Sequence, residues 1–467
     1  MEESGEFPGR GVRGGVRSAR FTRDWTEGNI IRNLLSLSWP MLVTRALMSL
    51  APTVDLIVVG RLGAAAVAGV GIGGIVTEVV VALKQGLTIG VRAMVARFVG
   101  AGDREGAVYV AQQGFIITAV FTFFLSMIGI FLTEPILRLL GAGPDVIAQG
   151  APYIRIQFVV SIFMTCRMTT DAIMEASGDT ITPMKLTAIY RLFHVALCPF
   201  MVYGWWIFPR LETSGAAWTG VASQGLAMTL GLWFLLTGRS RLRLTFRNFG
   251  FNPGLIWRLV KVGIPASITG MGQSLAQFLV ISFITPFGTL AIAAHSVGQR
   301  IDQFLNMPSM AWGMGAGVLA GQNMGAGRPE RAQKTSWLAV GLGSALMFFF
   351  SIIIWFWAEW AIRIFTSEPD LVALSATFLR IAIVSWWFFG LAMMLPQCLN
   401  GVGDTMPPMV GTVISLWGIQ VPLAAILPKV GNLGVYGVRW ALVAGVVVRA
   451  IAFLIYFLTG RWKRKKV

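Results

Sequence analysis

Apolar runs long enough to cross a bilayer recur along almost the whole chain, and no other feature limits its fold as much. FIITAVFTFFLSMIGIFL (115–132) and ALMFFFSIIIWFWA (345–358) are two of them. A helix of roughly 20 apolar residues spans the hydrocarbon core. Twelve runs can be read, near 34–59, 66–96, 107–132, 147–176, 182–204, 215–237, 256–286, 291–322, 333–358, 371–399, 407–428 and 436–459. Only 13% of the residues are charged, about half the share in a soluble domain. Backbone polar groups in lipid must be satisfied internally, and the alternating pattern of a membrane barrel is absent. The chain therefore reads as an all-α membrane protein with twelve transmembrane helices.

Lys and Arg set the orientation. Arg97, Arg104, Lys185, Arg239, Arg241, Arg243, Arg247, Arg258, Lys261, Arg328, Arg331 and Lys334 fall on one side, with Arg461, Lys463, Arg464, Lys465 and Lys466 at the end of the chain. The opposite connections carry mostly single cations: Arg61, Arg138, Arg210, Arg363 and Lys429. This asymmetry places both termini in the cytoplasm and the protein in the cytoplasmic (inner) cell membrane. Residues 1–30 are Gly- and Arg-rich and read as a disordered tail without a signal peptide. The net charge of +17 belongs to these flanks and gives no reason to expect nucleic-acid binding. Cys166, Cys198 and Cys398 lie in apolar segments and read as small buried hydrophobes. No spacing of His and Cys suggests a metal site.

The chain repeats itself. EASGDTITPM (175–184) matches NGVGDTMPPM (400–409), so Asp179 and Asp404 stand 225 residues apart. VGAGDREGA (99–107) matches MGAGRPERA (324–332) at the same offset, and Pro40/Pro265 and Pro144/Pro369 share it. Each half holds six spans, an even number, so the halves enter from the same side as parallel repeats. The expected organisation is a bundle over 31–237, a basic linker over 238–255, a second bundle over 256–460 and a basic tail over 461–467, with a central cleft between the six-helix bundles. In the GDT loops, Gly permits the tight turn, Asp or Thr caps the next helix and Pro suits its first turn.

These motifs resemble the multidrug and toxic compound extrusion (MATE) family, specifically its archaeal, DNA-damage-inducible-type branch. The resemblance rests on Asp55, Gly60, Leu62 and Gly63 at the end of span one, the GAG turn and the GDT-x-x-PM loop of each half, and FGTLAIAAHSVGQRI (287–301). It implies a secondary-active exporter of drugs and other amphipathic, often cationic organic compounds, working by antiport with H⁺ or Na⁺ as two bundles rock. No cofactor beyond the coupling ion is implied, and the expected state is a monomer among membrane lipids.

Ionisable residues inside the spans mark candidate sites. Asp55 lies late in span one, and Pro52 before it lacks the N–H that would reach the carbonyl of Met48, which predicts a kink. The resemblance makes Asp55 the cation or proton site. Arg191, His194 and Cys198 in YRLFHVALCPF share one face of span five. The related branch carries N-x3-DP where this chain carries H-x3-CP. Imidazole and thiol are poor sodium ligands, whereas imidazole exchanges protons near neutral pH. Asp55, His194 and Cys198 are the coupling candidates. Arg191, Asp171, Gln299, Asp302 and Asn306 are candidates for lining the cleft, with an Arg167–Asp171 pair as the structural reading of Asp171. Lys84 is expected to neutralise a carboxylate of its own bundle. No acid in the second half corresponds to Asp55, which concentrates coupling in the first bundle. The many Phe, Trp and Met residues suit varied amphipathic ligands. No nucleophile–base pair or phosphate loop points to an enzyme. Arg45, Arg92, Arg167, Arg191 and Arg300 keep open an alternative, a flippase for a lipid-linked precursor from the wider superfamily.

Overall fold

The computed structural model describes residues 24–62, 64–139, 143–206, 209–245, 249–431 and 433–465. Among them the regular structure is helical. Each of the twelve expected spans is present, with ends within a few residues of its apolar run. The first is broken into α1 (Ile30–Met48) and α2 (Leu50–Gly60). Then come α3 (Ala64–Gly100), α4 (Arg104–Leu139), α5 (Pro144–Ala176), α6 (Ile181–Tyr203) and α7 (Glu212–Thr237). The second half opens with α8 (Pro253–Ile284), α9 (Thr289–Gly325) and α10 (Pro329–Arg363). Span ten is α11 (Pro369–Trp387) followed by α12 (Leu395–Gly401), span eleven is α13 (Met406–Val413) followed by α14 (Val421–Ile426), and span twelve is α15 (Val435–Leu458). Among the described residues nine spans are long and apolar enough to cross a membrane. The other three are α3, α5 and α9, and α5 buries a run of polar side chains that includes Arg167, Asp171 and Glu175. The chain is a multi-pass membrane protein of two six-helix bundles.

The break in span one falls at Ser49. This is where Pro52 removes the donor to Met48. The two halves then part company. Leu34, Leu37 and Met41 of α1 enter a core with Leu319, Leu395 and Phe453 of the second bundle. Val58 and Val59 of α2 pack with Phe158, Cys198 and Val202 of the first. A single span is thus anchored in both bundles, with its hinge between them. Spans ten and eleven each contain a wider π-type stretch, Gly390–Met394 and Ile414–Gln420. Each stretch stands just ahead of a proline, Pro396 or Pro422, whose missing N–H it accommodates.

The bundles meet at the end that carries the two GAG turns. There the last turns of α3 and α9 touch backbone to backbone. A side chain on Gly100 would run into the carbonyl of Gln322, and one on Gly325 into that of Arg97. Gln322 Nε2 donates there to the carbonyl of Ala176 at 2.7 Å, and farther along α3, toward its middle, Ser267 Oγ donates to that of Leu83 at 2.7 Å. Residues 24–28, part of the expected disordered tail, form an ordered strap at the GAG end. Trp25 is buried against Gly178. Arg328 donates to the Thr26 carbonyl at 2.8 Å, and Arg331 to that of Gly28 at 2.7 Å. Residues 1–23 lie outside the described part.

Gly325→Leu is expected to force this end apart, because the obstacle is backbone. Overpacking of about 1–3 kcal/mol would shift the balance of states by roughly 5–150-fold. Spin labels on Ala101→Cys and Gly327→Cys should then report a longer distance. An unchanged distance distribution would show that the contact does not hold the bundles together.

The GDT loops begin alike. Gly178 and Gly403 both turn with positive φ, 89° and 80°. Their aspartates then diverge. Asp179 Oδ1 accepts from the Thr182 N–H at 3.1 Å and caps α6, while Oδ2 accepts from Ser240 Oγ at 3.0 Å. Asp404 does not cap in this way, because residue 407 is a proline with no N–H to offer. It accepts instead from the Tyr456 hydroxyl at 2.5 Å and lies 3.3 Å from Lys465 Nζ. The described parts of the linker, residues 238–245 and 249–255, are docked on the first bundle. Gln113 Nε2 donates to the Gly250 carbonyl at 2.7 Å, Gln112 bonds to the Thr245 carbonyl, and Leu242 and Leu244 are buried.

Candidate cation-coupling site

Asp55 sits on α2, beyond the hinge. α6 presents His194 and Cys198, about one turn apart, toward it. His194 Nε2 lies 2.9 Å from Asp55 Oδ1, and the Cys198 thiol donates to the same oxygen at 3.3 Å. α7 supplies Ser223, whose Oγ is 3.1 Å from His194 Nδ1. The Tyr203 hydroxyl donates to the Val58 carbonyl at 2.7 Å and pins α2 to α6 beside the site. Cys198 is fully buried, the His194 side chain is 4% exposed, and that of Asp55 keeps 17%. The carboxylate is therefore the member of the group most open to exchange.

This arrangement holds the imidazole in either protonation state. A neutral ring donates from Nε2 to Asp55 and accepts at Nδ1 from the Ser223 hydroxyl. A protonated ring donates from both nitrogens, and Ser223 then turns its hydrogen to the Gly220 carbonyl at 3.2 Å. One hydroxyl rotation thus follows one proton. The three coupling candidates of the sequence reading thus come together at one point. One donor atom each of Asp55, His194 and Cys198 lie within 4.8 Å of one another. Residue spacing could not show this, because Asp55 is 139 residues from His194.

The remaining candidates fall into two other places. In the first bundle, Asp171 is buried and bonds to Arg167, whose Nε donates to Gln224 Oε1 at 2.8 Å. Glu175 pairs with Arg92 at 2.9 Å. Arg191 lies over the Tyr190 ring, 5.0 Å from its centroid. Lys84 does not meet the expected carboxylate; its Nζ donates to the Ser161 hydroxyl at 2.6 Å. In the second bundle, Asp302 accepts from Trp386 Nε1 at 3.2 Å, with Gln299 and Asn306 half-buried on the same helix. Nearby, Arg439 Nη1 lies 3.1 Å from His295 Nδ1. Sequence reasoning missed Ser223, His295 and Arg439. A serine among the small residues of span six gives no signal, whereas His295 stood inside a quoted motif.

The MatE family model matches residues 40–200 and 265–426, once in each half of the chain. The chain belongs to the MatE family. Its members are transporters, so this protein is a transporter and not an enzyme. A probable multidrug resistance protein of Bacillus subtilis, YpnP, is 25% identical to it over 95% of this chain and 98% of the relative. An FAD transporter of Shewanella oneidensis is 23% identical over 92% of this chain and 94% of its own. Among solved structures, a MOP superfamily transporter from Pyrococcus furiosus superposes with a TM-score of 0.88 at 20% identity, covering 97% of this chain and all of that one. The MatE match starts at Pro40 and again at Pro265, which is the 225-residue repeat read from the sequence.

Proposed function

We propose that the protein is a proton-coupled exporter of amphipathic organic compounds in the cytoplasmic membrane, with both termini inside. The observation that carries this reading is the 2.9 Å contact between Asp55 and His194 beside the hinge of span one. Sodium is best held by several hard oxygens. Here one carboxylate oxygen faces a nitrogen and a sulfur, a set better suited to moving a proton. That one relative is named for multidrug resistance and another for FAD supports a common engine with varied cargo.

The mechanism follows from the hinge. α1 packs on the second bundle as well as on α6, whereas α2 packs within the first. With Asp55 ionised, α2 is bonded to His194 and Cys198 on α6. Protonation of Asp55 removes the charge that makes those bonds strong and frees α2 to change its angle to α1. Angle and bundle position are coupled because one span is shared. The basic GAG end is the cytoplasmic one by the Lys/Arg rule, and it is closed here. The described state accordingly faces outward.

The test is efflux from proteoliposomes under separately imposed H⁺ and Na⁺ gradients at fixed membrane potential. A one-unit pH gradient supplies about 1.4 kcal/mol per proton, enough for about tenfold accumulation at one-to-one exchange. The proton gradient should drive accumulation and the sodium gradient should not. Drive by sodium alone would overturn the assignment of the ion.

A further inference from the structure

The charge inside the first bundle and at its junction with the second points to the class of cargo. α1, α3, α5 and α6 bring Arg45, Lys84, Arg92, Arg167 and Arg191 into the first bundle. Two of these are matched: Arg167 bonds to Asp171, and Arg92 pairs with Glu175. Asp55 is engaged by His194. Among the described residues, no carboxylate lies within 4.0 Å of Arg45, Lys84 or Arg191. Arg45 Nη2 points across the junction at the thioether of Met314, 2.9 Å away, and a thioether is a weak acceptor. Arg191 Nε is buried without a partner. The Tyr190 ring lies under both Arg191 and Arg167, at 5.0 and 5.3 Å.

The second-bundle side chains that share the junction cavity are uncharged. Met314, Gln397 and Asn400 of the second bundle share one small cavity with Arg92, and Asn400 Oδ1 there has no partner. Guanidinium groups at low dielectric that lack a direct carboxylate partner attract an anion. Their planar fork fits a carboxylate or phosphate with two parallel hydrogen bonds. Met314 offers apolar surface beside Arg45, and the Tyr190 ring offers aromatic surface beside Arg191.

We propose that the cargo is an amphipathic organic anion whose carboxylate or phosphate is received by Arg45 and Arg191. This rests on the exporter reading above and reverses the sign of charge that the family resemblance implies. When the GAG end parts, the Arg45–Met314 contact must open, and the guanidinium then needs a new partner. An anionic group entering from that side provides one, so loading and opening favour each other. The anionic group could belong to a free compound or to a lipid.

The experiment uses the full chain in proteoliposomes under a proton gradient, with three probes: carboxyfluorescein, ethidium and a fluorescent phosphatidic acid. Movement of carboxyfluorescein above that of ethidium is expected for a free anion, and movement of the labelled lipid alone would place the anion on a lipid. Either outcome supports the proposal. Arg45→Glu and Arg191→Glu should each lower anion movement by about tenfold or more, the value of one charge-assisted hydrogen bond, and raise ethidium movement. Arg155→Gln, at an exposed pair with Glu134, should change neither. The wild-type preference decides the matter even if a variant fails to fold. Asp55-dependent export of ethidium in preference to both anions overturns the proposal and leaves the exporter reading standing. No Asp55-dependent movement of any probe overturns both.

Discussion

Asp55→Asn should leave a folded protein that no longer uses a pH gradient. Asparagine keeps the shape and an oxygen that can accept from His194 Nε2 and the Cys198 thiol, so the contacts at 2.9 and 3.3 Å survive in weakened form. The expected change in stability is about 1 kcal/mol, the net value of a hydrogen bond. The expected change in transport is much larger. Coupling free energies of about 1–3 kcal/mol correspond to roughly 5–150-fold, and an amide cannot take up the proton that supplies them. Accumulation against a gradient should fall to equilibrium, while exchange of cargo down its own gradient continues. The measurement is the steady-state accumulation ratio in proteoliposomes at fixed pH difference. A ratio equal to wild type would remove Asp55 from the coupling step.

The second large effect is a change of ion. His194→Asn together with Cys198→Asp restores the oxygen pattern that the related branch carries at these positions. Cys198 Sγ is 3.3 Å from Asp55 Oδ1, so the variant brings two carboxylates together in a buried site. Like charges that close cannot both ionise without a cation between them. Sodium gradients should therefore drive this double variant where they do not drive wild type. Its thermal stability should also rise with sodium concentration, by about 2.7 kcal/mol at a hundred times the dissociation constant. Potassium at equal ionic strength serves as the control. A melting temperature indifferent to sodium would mean that donor type does not select the ion.

Much of the architecture was legible because hydrocarbon dictates it. Apolar length gave the twelve spans, and the 225-residue offset gave the two halves. Pro52 announced the break at Ser49. What the sequence hid was which helix faces meet. His194 could be placed on a face with Arg191 and Cys198, but its contact with Asp55 and with Ser223 depends on how α2, α6 and α7 pack. The same limit applies to Lys84, whose partner is a hydroxyl on α5. The two GDT loops show a subtler limit, since matched aspartates do different work once one is followed at the third position by proline. The strap at 24–28 went unread because a single Trp25 in a Gly/Arg-rich stretch carries no periodic signal.

The halves have also diverged in chemistry. Hinge, carboxylate and imidazole lie in the first bundle, while the second offers Asp302 bonded to Trp386 and Arg439 beside His295.

An exchanger must also not leak. Were the closed end held by long polar side chains, water could thread between them and carry protons across without cargo. Here α3 and α9 meet through Gly100 and Gly325, with each backbone against the other's carbonyls. Contact that close leaves no width for a file of water molecules. The contact itself is made by backbone and involves no titratable side chain, so it does not follow the proton that the coupling site binds. The same two glycines that let the bundles touch thereby keep the proton gradient from draining through the protein that spends it.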